Sequence, residues 1–163
     1  MSTYHSYLYW AGCAPGWSPF EHTGRCYKLF TGAVSWAAAR SVCVEHQGDL
    51  ASVPDQQTNV FLSSMSTVSP ASAWLGGSDA KSEGDWTWAD GTPWGYTNWR
   101  SSEPDDNPVE PNGNVIENYL AMNIDGSWND LRVNASINFF CQQGQGDMAI
   151  MALLGLCCNA VKC

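Results

Sequence analysis

One stretch of the chain, VSWAAARSVCVEHQG, has its apolar residues at the spacing of a helix. Trp36, Ala39 and Cys43 stand at positions i, i+3 and i+7, so they share one face and Cys43 points inward. Ser35 can cap the start of this helix, and Gly48 can end it. The alanine-rich centre also favours helix, so the pattern predicts a helix between these two residues.

A second predicted helix follows, and after it the apolar residues occur in short runs or alternate with polar residues. This helix is capped by Asp55 and runs through Phe61 and Met65. Residues 97–117 are polar and rich in Pro, Asn and Asp, which predicts a long loop. The predicted strands are AWLGG, the segment DWTWADGTPW with a turn at Asp90-Gly91, a pair in NYLAMNIDGSWNDL joined at Asp125-Gly126, and INFFC.

The order of these elements predicts the fold class and the domain division. Cys13 and Cys26 bracket APGWSPFEHTGR, whose proline and glycine residues predict a hairpin turn that a short-range disulfide would join. Two helices followed by short strands predict an α+β fold. The chain divides into an N-terminal arm over residues 1–12, one domain over residues 13–142 and an apolar, cysteine-containing tail over residues 143–163.

The composition points to an extracellular protein. A chain of 163 residues can bury a core without cross-links, yet it has seven cysteines, which predicts an oxidising compartment and disulfides. Sixteen acidic residues against seven basic ones give a net charge of −9, so nucleic acid and anionic membranes are poor partners. The longest apolar run, MAIMALLGL, is too short to span a membrane. No secretory signal is visible, so we expect that one has been removed or replaced.

Seven carboxylates crowd one run of the chain, SSEPDDNPVEPNGNVIENYLAMNIDGSWNDL, with Arg100 as a basic neighbour. Carboxylates packed this closely repel one another unless a cation neutralises them. Hard carboxylate and amide oxygens in a flexible loop are the ligands that Ca²⁺ takes, so the run predicts a calcium site. Its acidic residues are Glu103, Asp105, Asp106, Glu110, Glu117, Asp125 and Asp130.

The order of landmarks resembles that of the C-type lectin-like domain family, in its long form with an N-terminal hairpin bridge. The resemblance covers residues 13–142 and implies an α+β fold in which two helices flank small antiparallel sheets with a long calcium-binding loop region. It also implies a disulfide between Cys43 and Cys141, which closes about 100 residues and would contribute roughly 4–5 kcal/mol in the chain-entropy model. The matching segments are GWSPFEHTGRCYKLF, SWAAARSVCVEHQGDLASV, AWLGGSD, WTWADGTPWGYTNW, EPD and WND followed by FFCQ.

This chain departs from the family at the second bridge that usually crosses the loop-supporting strands. Tyr119 and Val133 stand where its two cysteines would be. Both cysteines of the bridge are absent together, which supports the match between this chain and the family. We therefore expect apolar packing to replace the bond and the base of the loop to be less constrained.

The resemblance assigns a role to most of the acidic run. It implies that Glu103, Asp105, Glu117, Asn129 and Asp130 form the principal calcium site, which also binds the sugar. In the family the Glu–Pro bond of the triplet is cis, and it turns both flanking side chains to the same side.

The resemblance also implies an auxiliary calcium site. Asp79 and Glu83 stand at the family's spacing for it, and Asp106 follows the triplet where a third ligand would lie. Asn118 stands where a carboxylate is commoner, which would weaken this site. The alternative for Asp79 and Glu83 is that they are solvated loop charges.

Two triplets compete for the sugar-binding motif. Glu110-Pro111-Asn112 matches that motif more literally than Glu103-Pro104-Asp105 does. Glu103, however, lies four residues after Trp99, which is the family's usual spacing, and insertions usually fall between the triplet and Glu117. The first triplet is therefore favoured, and the second would be an insertion.

The resemblance further implies which sugars could bind. An ionised Asp105 can only accept hydrogen bonds, which leaves Asn129 as the clear donor to a sugar hydroxyl. Mannose-, fucose- or glucose-type glycans are expected, bound weakly at each site and usefully through several copies. Trp94, Tyr96 and Trp99 lie near the loop and could stack on a sugar face, whereas the strand residues Trp74, Trp86, Trp88 and Trp128 are expected in the core.

The predicted function is calcium-dependent glycan binding by a secreted protein that forms homo-oligomers. Seven cysteines cannot all pair within one chain, so residues 143–163, with Cys157, Cys158 and Cys163, could join neighbouring copies. The alternative is a structural, filament-forming or ice-binding use of the same fold. An enzyme is not expected, because the carboxylates that could serve a glycosidase are better used as metal ligands. Asn134-Ala135-Ser136 is a possible N-glycosylation site.

Overall fold

The computed structural model describes residues 12–66, 71–105 and 117–144, so nearly all of the predicted arm and tail lies outside the described residues. Within them, two helices and eight strands confirm the predicted α+β class. In chain order they are β1 (Ser18–Phe20), β2 (Arg25–Val34), α1 (Trp36–Glu45), β3 (Asp49–Leu50), α2 (Gln56–Met65), β4 (Ala73–Ser78), β5 (Thr87–Trp88), β6 (Tyr119–Met122), β7 (Trp128–Leu131) and β8 (Ile137–Gly144).

β8 is the centre of the sheet, because β2, β3 and β4 all pair with it. The strand order is β1-β2-β8-β4-β6-β7, with β3 on β8 and β5 on β4. The described strands therefore join in one sheet, not in the separate antiparallel sheets that the resemblance implied. β4 runs parallel to β8. A parallel pair needs a long crossover connection, and here that connection contains the whole loop region and the β6–β7 hairpin.

α1 lies between the two residues that its sequence predicts to bound it. The side-chain oxygen of Ser35 accepts a hydrogen bond from the N–H of Ala38, and Cys43 is buried. At the other end, the N–H of Gly48 donates to the carbonyl of Cys43 at 3.0 Å, although the residue in the left-handed conformation is Gln47, with φ of 61°. Gly48 is required for a different reason, since a Cβ there would overlap the carbonyl oxygen of Gln142 on β8.

α2 places one polar residue in the core beside the loop region. Asp55 caps it as predicted, accepting the N–H of Thr58 at 2.8 Å. Its buried face consists of Thr58, Asn59 and Leu62, while Phe61 and Met65 are only partly buried. Asn59 donates from Nδ2 to the carbonyl of Gly126 at 3.0 Å, so α2 holds the turn that leads into β7. Among the described helices, neither is long and apolar enough to cross a membrane.

The core has two parts. The loop-side core contains the buried residues Trp86, Trp88 and Trp128, and the loop residues Trp94, Tyr96 and Trp99 pack against it. The bridge-side core contains Trp74 and the cysteines of α1, β2 and β8. All four tryptophans expected in the core are buried there: Trp74, Trp86, Trp88 and Trp128.

Both expected disulfides are present. Cys13 joins Cys26 across the β1–β2 hairpin, and Cys43 joins Cys141, which fixes α1 to β8. The second of these bridges spans 98 residues and encloses the loop region. The loop is therefore closed into a large covalent ring, but no described bridge crosses its base.

Apolar packing replaces the family's second bridge at one of its two positions. The ring of Tyr119 lies 4.8 Å from that of Trp36 and 6.5 Å from that of Trp74, measured between centroids. Val133, in contrast, is 50% exposed in the turn after β7. The expectation that both residues pack in place of the bond is therefore wrong for Val133, because the turn carries its side chain outward.

We expect Gly48→Ala to destabilise the fold by about 3 kcal/mol or more, because the new methyl group meets backbone that cannot rotate away. Chemical denaturation of the oxidised protein measures this change. Gly32→Ala is the matched control, since a Cβ at Gly32 meets nothing within 4 Å. Equal stability of the two variants would show that β8 does not approach α1 this closely.

Candidate metal centre

Three carboxylates from two distant parts of the chain converge beside β7. Oxygen atoms of Glu103, Asp105 and Asp130 all lie within 4.8 Å of one another. Asp130 is completely buried in β7, whereas Asp105 is exposed. These are three of the five residues that the sequence predicted for the principal site.

Backbone hydrogen bonds attach the loop to β7 at this point. The N–H of Trp128 donates to the carbonyl of Asn98 at 2.8 Å, and the N–H of Arg100 donates to the carbonyl of Trp128 at 2.9 Å. The loop segment thus follows β7 like a short extra strand, with Trp99 bridged to Trp128. This attachment fixes where the triplet begins.

The first triplet then turns its carboxylates toward Asp130. The Glu103–Pro104 peptide bond is cis, as the resemblance implied. The N–H of Asp105 donates to Oδ1 of Asp130 at 3.3 Å. The second triplet, Glu110-Pro111-Asn112, lies outside the described residues.

The environment of Glu103 raises the pKa of its carboxyl group. Burial raises its pKa, and the negative charges of Asp105 and Asp130 raise it further, against a hydrogen bond from Arg100 that lowers it. Its Oε1 accepts that bond at 2.7 Å, but its Oε2 is buried with no hydrogen-bond partner. Burying a carboxylate oxygen without a hydrogen-bond donor or a cation beside it costs free energy. A donor or a cation next to Oε2 would remove this cost.

The other two predicted ligands, Glu117 and Asn129, each contact an arginine. Glu117 is buried just before β6, and its Oε1 lies 3.6 Å from Nε of Arg132. It is not among the described carboxylates that come within 4.8 Å of one another. Asn129 donates from Nδ2 to the backbone carbonyl of Asp130 at 2.8 Å, and its Oδ1 accepts from Arg100 at 3.4 Å.

The predicted auxiliary residues are in contrasting environments. Asp79 is 2% exposed, with Oδ2 accepting the N–H of Gly84 at 3.0 Å, while its Oδ1 has no hydrogen-bond partner. The alternative that Asp79 is a solvated loop charge is therefore wrong. Glu83 is exposed, and Asp106 lies outside the described residues.

The three aromatic residues proposed for sugar stacking mainly support the loop. The ring of Trp94 lies 4.8 Å from that of Trp88, and the ring of Trp99 lies 4.9 Å from that of Trp86. The ring of Tyr96 meets Trp128 edge-on at 5.6 Å. All three side chains remain partly exposed, so each keeps some surface facing solvent.

Sequence reasoning missed the two arginines and the buried asparagine of this site. Arg100 and Arg132 each contact a predicted ligand, Glu103 and Glu117 respectively. Arg100 was visible in the sequence as the basic neighbour of the acidic run, and this was the available signal. Asn59 gave no signal in the sequence, because a polar residue on a helix is ordinarily solvated.

The fold and the site together define a small α+β binding domain with an acidic loop on one side of its sheet. A sequence model of the family described as the lectin C-type domain matches residues 32–143. The chain therefore belongs to the C-type lectin domain family. Members of this family are binding proteins and not enzymes, which agrees with the expectation from the sequence.

Relatives of this chain are similar over most of the described domain. The low affinity immunoglobulin epsilon Fc receptor of Mus musculus is 33% identical over 132 residues, which are 80% of this chain and 37% of that protein. The type-2 ice-structuring protein of Hemitripterus americanus is 38% identical over 94 residues, which are 58% of this chain and 55% of that protein. This chain thus spans less than two thirds of the length of either relative.

A solved structure confirms the fold. The cow C-type carbohydrate-recognition domain of CD23, whose crystal structure was determined in the presence of a GlcNAc2Man3 oligosaccharide, has a TM-score of 0.73 and 29% identity. The similarity covers 83% of this chain and 98% of that one.

The residues present fit a calcium ion. C-type lectin domains generally bind Ca²⁺. The clustered donors are all oxygens, as Ca²⁺ requires, and one of the three residues, Glu103, also has a buried Oε2 without a hydrogen-bond partner.

In the presence of a chelator, we expect Glu103→Gln to raise the free energy of unfolding near pH 7. The ionised side chain is desolvated and faces two other carboxylates. Because its folded pKa lies above its unfolded value, this penalty exists above the folded pKa and disappears as the pH falls below the unfolded value. The gain should therefore vanish near pH 3.

Urea unfolding near both pH values measures the effect of this substitution. Glu21→Gln in the exposed β1–β2 turn is the control, and it should stay within about 0.5 kcal/mol of the wild type. A loss of stability near pH 7 would contradict the electrostatic account of Glu103.

Proposed function

We propose that this protein binds glycans through a calcium ion held by Glu103, Asp105, Glu117, Asn129 and Asp130. The observation that carries the proposal is the buried Oε2 of Glu103, which has no hydrogen-bond partner and lies with two further carboxylates. A cation bound there relieves both the missing partner and the mutual repulsion. Membership of the lectin family supports the same conclusion.

Each residue has a distinct task at the proposed site. Asp130 is the buried anchor on β7, and Glu103 and Asp105 approach it from the loop. Glu117 would have to leave its 3.6 Å contact with Arg132 to join them. When bound, calcium supplies coordination positions that two neighbouring hydroxyls of a sugar can take.

The donor pattern favours mannose-, fucose- or glucose-type sugars. Ionised Glu103, Asp105 and Glu117 accept hydrogen bonds from sugar hydroxyls, and Asn129 is the side chain that can donate. The cow domain with 29% identity was crystallised in the presence of a mannose-containing oligosaccharide, which supports this class. Trp94, Tyr96 and Trp99 present partly exposed rings beside the loop that can contact a sugar face.

An auxiliary calcium site extends the proposal. Asp79 is buried with an unpartnered Oδ1 and would be its inner ligand. Glu83, which is exposed, and Asp106 would be its other ligands. Its role would be to hold the loop that connects β4 to β5.

The proposed setting is extracellular and multivalent. The two disulfides support an oxidising compartment. A single shallow sugar site binds weakly. Homo-oligomers joined through residues 143–163 would present several such sites together and so raise the overall affinity. Asn134 is exposed after β7, where a glycan could project outward.

Ice binding is the second candidate function. It is favoured by the 38% identity to the type-2 ice-structuring protein over 94 residues. The two functions are separated by measuring thermal hysteresis and retention on immobilised mannose, each with and without a chelator. Hysteresis without sugar retention would overturn the glycan proposal.

We expect Asp130→Asn to lower calcium affinity by at least about 100-fold and to abolish chelator-reversible retention on mannose. Asp130 is the fully buried member of the three-carboxylate cluster, so the substitution removes one of the negative charges that would bind the ion. Isothermal titration calorimetry measures the affinity. Asp125→Asn, an exposed carboxylate in the turn before β7, is the control and should bind as the wild type does. Unchanged calcium affinity in Asp130→Asn would refute the assignment.

We expect Arg100→Gln to raise calcium affinity about two- to fivefold, because an exposed ion pair competes only weakly with a metal. The guanidinium donates to Oε1 of Glu103 and to Oδ1 of Asn129, both proposed ligand groups. Lys28→Gln makes the same charge change elsewhere and is the control. If both variants gain equally, the effect is general electrostatics and not competition at the site.

A further inference from the structure

An apolar groove lies between β1 and α2, separate from the carboxylate cluster. Its volume is about 500 Å³, and none of its lining side chains is charged. Phe20 contributes from β1, and Val60 and Phe61 contribute from α2. Gln56, Gln57 and Ser64 complete the lining.

The apolar side chains of this groove form one continuous surface. The rings of Phe20 and Phe61 are stacked, with centroids 4.2 Å apart and planes 8° apart. Val60 lies outside the face that α2 buries and is 58% exposed. An apolar groove of this kind can bind a complementary apolar segment.

The chain leaves β8 close to this groove. Gly144 at the end of β8 pairs with Arg25, and Arg25 pairs with Phe20. Phe20 is therefore two strand spacings from Gly144, which is about 10 Å. Residues 145–147 can span about 10 Å when extended, so residue 148 can reach the groove.

The sequence that follows is suited to an uncharged apolar surface. Residues 148–156 read MAIMALLGL, nine residues without one charged or polar side chain. Their burial in a groove without charges would leave no ionised group desolvated.

We propose that residues 148–156 of the same chain dock in the groove formed by Phe20, Val60 and Phe61. The tail then covers the outer face of α2 and fastens the end of β8 to the β1–α2 side of the domain. The N-terminal arm also contains apolar residues, LYWA at positions 8–11, but this run is four residues long, whereas residues 148–156 are nine apolar residues in succession.

Photo-crosslinking of the full-length oxidised protein tests which segment occupies the groove. The photoreactive residue p-benzoylphenylalanine replaces Val60 in one protein and Val44 in the control. Val44 lies on α1 and is 56% exposed, so it matches Val60 in residue type and exposure. We expect a product with the mass of one chain, whose crosslinked peptide comes from residues 148–156. Masses are read after the disulfides have been reduced, so that only photochemical links count. A link to residues 1–11, a photoproduct with the mass of two chains, or no more crosslinking than the Val44 control would overturn the proposal.

A second measurement uses substitutions that place a charge in the groove. Val60→Glu should expel the apolar segment and speed chymotrypsin cleavage within residues 148–156 about tenfold, because cleavage requires the segment to be released. Val44→Glu should cleave at the wild-type rate. Equal rates in both variants would show that the groove does not hold the tail.

Discussion

A buried hydrogen bond connects α2 to β7, the strand that carries Asp130. Nε1 of Trp128 donates to Oδ1 of Asn59 at 2.7 Å, and the other end of the same amide holds the carbonyl of Gly126. The backbone of Trp128 in turn binds Asn98 and Arg100 of the loop. The position of the carboxylate on Asp130, two residues further along, depends on this arrangement. Without Asn59 a buried indole would lose its partner, which costs roughly 1–3 kcal/mol.

The carboxylate cluster lowers the stability of the folded domain when no cation is bound. Three carboxylates that repel one another, one of them with an unpartnered buried oxygen, are a poor solution for folding alone. Arg100 and Arg132 offset part of this repulsion by pairing with Glu103 and Glu117. At the proposed calcium site the same pairs would have to yield to the ion, so the arginines would stabilise the metal-free protein and moderate its calcium affinity. The chain has few basic residues, and the position of these two beside the acidic loop therefore contributes to the stability of the domain when no cation is bound.

Much of the fold could be predicted because its signals are local. The caps at Ser35 and Asp55 and the turn at Asp125-Gly126 follow from side-chain chemistry within a few residues. The features that could not be predicted depend on distant partners. Gly48 lies at the end of α1 as predicted, but the constraint that forbids a side chain there comes from Gln142, which lies far along the chain. A sequence pattern contains no information on such an approach.

The same distinction applies to the candidate site. Glu103, Asp105 and Asp130 were predicted together through a resemblance, and the structure brings them together. Glu117 and Asn129 were predicted with them, but their side chains contact Arg132 and Arg100. Such contacts depend on side-chain orientation, which residue spacing does not specify.

The two parts of the core keep the disulfides apart from the loop that carries the clustered carboxylates. Both disulfides belong to the bridge-side core, whereas the loop rests on the tryptophans of the loop-side core and on backbone hydrogen bonds to β7. Where a cysteine pair would ordinarily brace the loop, Tyr119 packs on Trp36 and Trp74. Thiol reductants therefore act first on the attachment of α1 and of the hairpin, and the carboxylate loop has no sulfur bond of its own to lose.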